Sequence, residues 1–135
     1  MHEGPIMKRL LIVEDQASDL RNATDVARDL GFTSVEARSS AMAAKIYLEK
    51  GLEGEHALPN AIVLDLDLGY ESGFELLRFW HGRPGLAEIP MIIWTVMGEE
   101  QREICRLFKV TAFVSKTDGV HLLKEALGGL ARSVS

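Results

Sequence analysis

Residues 61–69 read Ala61-Ile62-Val63-Leu64-Asp65-Leu66-Asp67-Leu68-Gly69. Four apolar residues end in a carboxylate, and loop-forming residues follow. A short unbroken apolar run of this kind fits a parallel strand buried on both faces. Asp65 is then delivered to the carboxyl edge of a sheet, where open α/β folds place their chemistry. The flanking residues decide whether such a sheet exists and what the acid does there.

Upstream, Lys8 to Val13 forms a first predicted strand that runs directly into Glu14-Asp15. Ser18 or Asp19 is the expected cap of a helix carrying Leu20, Ala23, Ala27 and Leu30 at helical spacing, with Gly31 as its stop. Phe32 to Ala37 is less apolar, as an edge strand would be. Ser39 or Ser40 opens a second helix to about Lys50, with Ala41, Ala44, Tyr47 and Leu48 inward, and Gly51 to Asn60 is a connection.

Downstream of Asp65, residues 66–71 form a loop. Ser72 and Glu75 make an S-x-x-E capping box for a third helix with Phe74, Leu77 and Trp80 on one face. Gly82, Pro84 and Gly85 end it. Pro90 precedes a fourth strand, Met91 to Trp94, and Thr95 stands at its end. Gly98-Glu99-Glu100 starts a fourth helix with acids where the helix dipole favours them, and Ile104, Cys105 and Phe108 are expected to turn inward. Ala112 to Ser115 is the last strand, and Lys116 follows it. Asp118 is the expected cap of a fifth helix carrying Val120, Leu123, Leu127 and Leu130. Strand and helix thus alternate five times, which predicts an α/β fold: a five-stranded parallel sheet with helices on both faces. The expected organisation is a flexible arm over residues 1–7, one domain over 8–131, and no output domain.

Composition narrows the function. The chain has 135 residues, enough for one substantial core, and 47% hydrophobic residues argue for a packed globule. A net charge of -5 without a basic run leaves no electrostatic footprint for nucleic acid. A single cysteine, Cys105, excludes an internal disulfide framework and suggests a reducing, cytoplasmic location. The N-terminus lacks the apolar core of a signal peptide, and no run is long enough to span a bilayer, so no membrane is expected. The four histidines show no metal-ligand spacing.

Four of the five strand ends carry polar chemistry: Glu14-Asp15, Asp65, Thr95 and Lys116. Each alone has a bland explanation, as a cap, a loop start or a solvated lysine. On one sheet edge they form a set. Three acids within a few ångströms repel by about 4 kcal/mol per close pair at an intermediate dielectric. A cation resolves this, and Mg²⁺ suits a site of oxygen ligands with open positions. Asp67 is a further candidate contributor, through its carbonyl or side chain. Such a site fits phosphoryl transfer, which needs positioning and charge neutralisation more than covalent help. Asp65 is the expected nucleophile, forming an acyl phosphate. Lys116 supplies a fixed positive charge, and the Thr95 hydroxyl can donate to a phosphoryl oxygen.

On these residues the chain resembles the receiver domains of two-component response regulators, from about Lys8 to Leu130. The stretches that carry the resemblance are Leu11-Ile12-Val13-Glu14-Asp15, Ile62-Val63-Leu64-Asp65, Ser72-Gly73-Phe74-Glu75-Leu76-Leu77, Pro90-Met91-Ile92-Ile93-Trp94-Thr95 and Ala112-Phe113-Val114-Ser115-Lys116. The resemblance implies a flavodoxin-like sheet in the order 2-1-3-4-5. It also implies a phosphoacceptor at Asp65, metal-binding acids at Glu14 and Asp15, a switch hydroxyl at Thr95, a switch aromatic at Phe113 and a phosphate-binding lysine at Lys116. A stand-alone switch protein is implied, one that catalyses only its own phosphorylation and dephosphorylation. The expected partners are a histidine kinase or phosphotransfer protein as donor, a downstream protein, and a second copy of the chain through the fourth- and fifth-helix face.

Three positions depart from the family pattern. Leu68-Gly69 replaces the usual methionine-proline pair, Val96 replaces a small residue and narrows access to Asp65, and Thr117 replaces the proline after the lysine. They bear on rate, lifetime and partner surface more than on the chemistry. Three rivals stand beside the receiver. One is a receiver-like binding module without phosphate turnover. Another is an aspartate-nucleophile phosphatase of the haloacid dehalogenase kind, suggested by Asp65-Leu66-Asp67, although its metal acids should follow the nucleophile. The third is a flavin-binding protein, which would need a hydroxyl- and glycine-rich phosphate loop where Glu14-Asp15 stands.

Overall fold

The computed structural model describes residues 8–96 and 98–134, so the expected arm over residues 1–7 lies outside the described residues. Five strands, β1 (Arg9–Val13), β2 (Ser34–Arg38), β3 (Ala61–Leu64), β4 (Met91–Thr95) and β5 (Ala112–Ser115), form one parallel sheet in the order β2-β1-β3-β4-β5. The helices are α1 (Ala17–Asp29), α2 (Ala41–Leu52), α3 (Phe74–Gly82), α4 (Glu99–Leu107) and α5 (Val120–Val134). This is the flavodoxin-like order that the sequence implied.

The period of two along the strands explains the layers. Leu11, Val13, Ile62, Leu64 and Ile93 point to one face, where they pack with Ala44, Leu48, Leu77 and Trp80 of α2 and α3 and with Cys105 of α4. Leu10, Ile12, Val63, Ile92 and Trp94 point to the other, against Ala23 and Ala27 of α1 and Leu123 and Leu127 of α5. Both faces are covered, so the central strands read as continuous apolar runs. Cys105 is fully buried, and burial pushes its thiol up to about 11. No helix among the described residues is long and apolar enough to cross a membrane.

The register sets the functional edge. Val13 lies opposite Leu64, Leu64 opposite Ile93, and Thr95 opposite Ser115. Glu14, Asp65, Thr95 and Lys116 therefore leave the sheet side by side. The ladder runs into the acids themselves: the Asp65 amide donates to the Val13 carbonyl at 3.1 Å, and the Glu14 amide to the Arg38 carbonyl at 3.0 Å.

Several local expectations are corrected. Gln16, not Ser18 or Asp19, is the N-cap of α1, which leaves Asp19 in its first turn. Phe32 is buried ahead of β2, which begins two residues later than expected. The loop after Asp65 folds into a small antiparallel hairpin, Asp67–Leu68 with Glu71–Ser72, so the S-x-x-E box does not form. Gly73 is instead the N-cap of α3, the Phe74 amide donates to Ser72 Oγ, and Glu75 pairs with Lys45 at 3.6 Å. Ile104 faces outward rather than inward, and Val120 is exposed at the start of α5. Asp118 belongs to a 3-10 turn over Lys116–Asp118, and Gly119, at φ 99°, separates it from α5.

Candidate phosphoryl-transfer site

Glu14, Asp65 and Thr95 are the buried polar residues of the described chain, and all three lie on this edge. Asp65 directly follows β3, with both carboxylate oxygens engaged. Its Oδ1 accepts the Thr95 hydroxyl at 2.7 Å and the Asp67 amide at 3.0 Å. Its Oδ2 accepts Lys116 Nζ at 2.8 Å. The lysine also donates to Glu14 Oε1 at 2.8 Å and to Asp19 Oδ2 at 2.7 Å. An ammonium has three donors, and here each has its own carboxylate.

Asp19 was taken from the sequence only as a helix cap. Its place in the first turn of α1, four residues beyond Asp15, is the signal that points it back at the strand edge. Trp94 was read only as an apolar strand residue. Lys116 Nζ sits 5.0 Å from the centre of its ring, in cation–π range, while the buried indole N–H has no hydrogen-bond partner. Gly73 is the third residue whose role the sequence did not show. A Cβ there would lie 2.3 Å from the Asp65 carbonyl oxygen, so the start of α3 is pressed against the strand end.

The electrostatics follow from this packing. Burial pushes the Glu14 carboxyl up, the Lys116 hydrogen bond pulls it down, and the Asp65 charge adds to the rise, for a net value of about 7. Burial alone would lower Lys116. Hydrogen bonds to Asp19, Asp65 and Glu14 outweigh that and hold the ammonium firmly charged.

Glu14, Asp15 and Asp65 each offer an oxygen within 4.8 Å of the others. Asp15 Oδ1 is buried without a hydrogen-bond partner. An orphaned buried carboxylate oxygen beside two other acids is the arrangement a hard divalent cation relieves, so the residues fit a Mg²⁺-type ion. Asp67 stands apart, with its side chain exposed on the hairpin and accepting the Gly69 amide at 3.4 Å. Val96 is 56% exposed at the end of β4. Phe113 is half-buried on β5, where Arg102 of α4 covers its ring at 4.7 Å and donates to its carbonyl at 3.3 Å. All peptide bonds described are trans, including Lys116–Thr117.

The chain has the receiver-domain fold of response regulators. Comparison with solved structures supports this directly. The phosphorylated cyanobacterial phytochrome response regulator RcpA is 24% identical, with a TM-score of 0.77 over 92% of this chain and 91% of that one. The Mn²⁺-bound response regulator Rcp1 is 26% identical, with a TM-score of 0.74 over 91% of each chain. The bacteriophytochrome response regulator AtBRR is 26% identical, with a TM-score of 0.75 over 93% of this chain and 94% of that one. No protein-family model and no curated protein matches the chain.

Proposed function

We propose that the protein is a cytoplasmic phosphorelay switch that accepts a phosphoryl group on Asp65 from a histidine kinase or phosphotransfer protein. The single observation behind this is the convergence on Asp65 of a hydroxyl donor, an ammonium and two further acids, all at the sheet edge. An Asp65 oxygen attacks phosphorus, the donor's P–N bond breaks, and the leaving imidazole takes a proton from solvent. Later attack by water on phosphorus returns the carboxylate and inorganic phosphate. Glu14, Asp15 and Asp65 would hold Mg²⁺, with the Asp67 carbonyl as a further contributor; when bound, the ion neutralises the acids and the incoming phosphoryl oxygens.

The chain's own residues do the rest. Lys116 redirects one N–H hydrogen bond from Asp65 to a phosphoryl oxygen, and the Thr95 hydroxyl does the same. Thr95 moves as it follows the new acceptor. Phe113 turns inward and leaves Arg102, which remodels the α4–β5–α5 face for a downstream protein or a second copy of the chain. The shift requires the phosphoryl group to interact better with that state than with the resting one.

The test is intact mass after incubation with a small acyl phosphate, with and without Mg²⁺. A Mg²⁺-dependent phosphoryl adduct is expected on the native chain and none on Asp65→Asn. An adduct that survives the substitution sinks the assignment. One observation favours the receiver-like binding module as a second reading: in the resting site every donor of Lys116 and both oxygens of Asp65 are already engaged. Failure to trap fluoroberyllate with Mg²⁺ would select that reading.

The Glu14 value of about 7 gives a pH dependence. Because it lies above the ordinary carboxylate value of 4.5, this group stabilises the metal-free fold below about 4.5 and loses that contribution as pH rises through about 7. A cation needs the carboxylate, so its binding displaces the proton. Mg²⁺ is therefore expected to raise the Tm more at about pH 8 than at about pH 5.5. Equal shifts at both would remove Glu14 from the ligand set.

A further inference from the structure

We propose that Asp19 is a positioning residue for Lys116, holding the ammonium over Asp65 while its other carboxylate partners are engaged elsewhere; this rests on the phosphoacceptor reading above. Lys116 has three partners, and two of them, Glu14 and Asp65, belong to the acid group that fits a cation. Both become poorer partners during the reaction. A bound cation withdraws their electron density, and Asp65 becomes an acyl phosphate. Asp19 lies outside that group, so neither the cation nor the phosphoryl group competes for its oxygen.

Its placement suits this task. Asp19 Oδ2 makes the shortest of the three contacts, 2.7 Å, from the first turn of a helix whose Ala23, Val26 and Ala27 are buried. The anchor is thus fixed to the core independently of β3 and the hairpin. Its side chain is 29% exposed, against 1% for Glu14 and 5% for Asp65, so it borders the site from the solvent side. The turn that carries Lys116 is short, a 3-10 turn capped by Ser115 Oγ, and fixes the backbone but not the long side chain. Asp19 on one side and the Trp94 ring on another supply that restraint.

The experiment compares native protein, Asp19→Ala and Asp19→Asn with a small acyl phosphate and Mg²⁺, reading the phosphorylation rate at saturating donor separately from donor half-saturation. A second arm follows the ¹H–¹⁵N signal of the Lys116 ammonium in Mg²⁺-bound protein. Asp19→Ala is expected to slow the saturated rate about tenfold, the scale at which supporting residues act, with half-saturation little changed. Asp19→Asn, which keeps an acceptor oxygen and the side-chain shape, recovers most of the rate. The ammonium signal is sharp in native protein and lost to exchange in Asp19→Ala. An unchanged or faster rate in folded Asp19→Ala, or a loss confined to half-saturation, overturns the proposal. If native protein takes no phosphoryl group, the phosphoacceptor reading fails, and the ammonium signal still decides whether Asp19 anchors Lys116. A Lys116 signal equally sharp in Asp19→Ala removes the anchor.

Discussion

Lys116→Ala is expected to cost the metal-free protein about 3–5 kcal/mol at about pH 8, the range for removing one partner of a buried charge pair. The lysine side chain is 9% exposed and is hydrogen-bonded to three carboxylates, two of them almost fully buried. Its removal takes away attraction and leaves the acids to repel one another at close range. Lost packing of the aliphatic stem adds to this but is the smaller effect, because the stem is one side chain among many covering the edge. Two conditions should restore stability. Acid protonates Glu14, whose carboxyl loses the hydrogen bond that now pulls it down. Mg²⁺ replaces the missing cation. Urea unfolding at about pH 8 and about pH 6, with and without Mg²⁺, reads all three effects. A loss below about 1 kcal/mol in metal-free protein at the higher pH would show that water already screens this cluster.

Gly73→Ala carries the second large effect. The backbone here is not the difficulty, since a φ of -65° and ψ of -15° suit any residue. The obstacle is space. The new Cβ would stand 2.3 Å from the Asp65 carbonyl oxygen and 2.9 Å from Leu66 Cα. Both are backbone atoms of the segment that carries the acceptor, so neither can rotate away. Relief requires α3 to lift or Asp65 to move. We expect a loss of about 3 kcal/mol, at the upper end for overpacking. Phosphoryl adduct formation should fall further than stability, because a shift of Asp65 spoils its alignment with Thr95 and Lys116 together. Gly98→Ala is the control, since nothing lies within 4 Å of a Cβ there. Equal behaviour of the two variants in melting and adduct formation would refute the account.

The sheet was legible because its strands are apolar on both faces and end abruptly. Ala61 to Leu64 cannot be a solvated helix face, and once five such runs alternate with helical periods the parallel edge follows. The site residues on strand ends were legible for the same reason, since register alone aligns Glu14, Asp65, Thr95 and Lys116. What escaped depends on helix and loop placement. Asp19 looked like a cap because caps and first-turn acids are the same residue types, and only the observed start of α1 at Ala17 turns it toward Lys116. The hairpin at Asp67–Leu68 and Glu71–Ser72 has strands of two residues, too short for any periodicity. The contact of Gly73 with Asp65 depends on how that hairpin returns the chain, which no local pattern encodes. Ile104 was misplaced by one helical step, as happens when both faces of a short helix carry apolar residues.

Cys105 gives the molecule a clock for its own breathing. It is the only thiol in the chain, it is fully buried, and its value of about 11 leaves it almost entirely in the unreactive thiol form. A reagent in solvent reaches it only when α4 parts from the sheet. When reclosing is faster than modification, the rate scales with the population of the open state of α4, the helix whose Arg102 covers Phe113. The population of the released α4 state is in this way written into a single chemical rate, with no probe added to the chain.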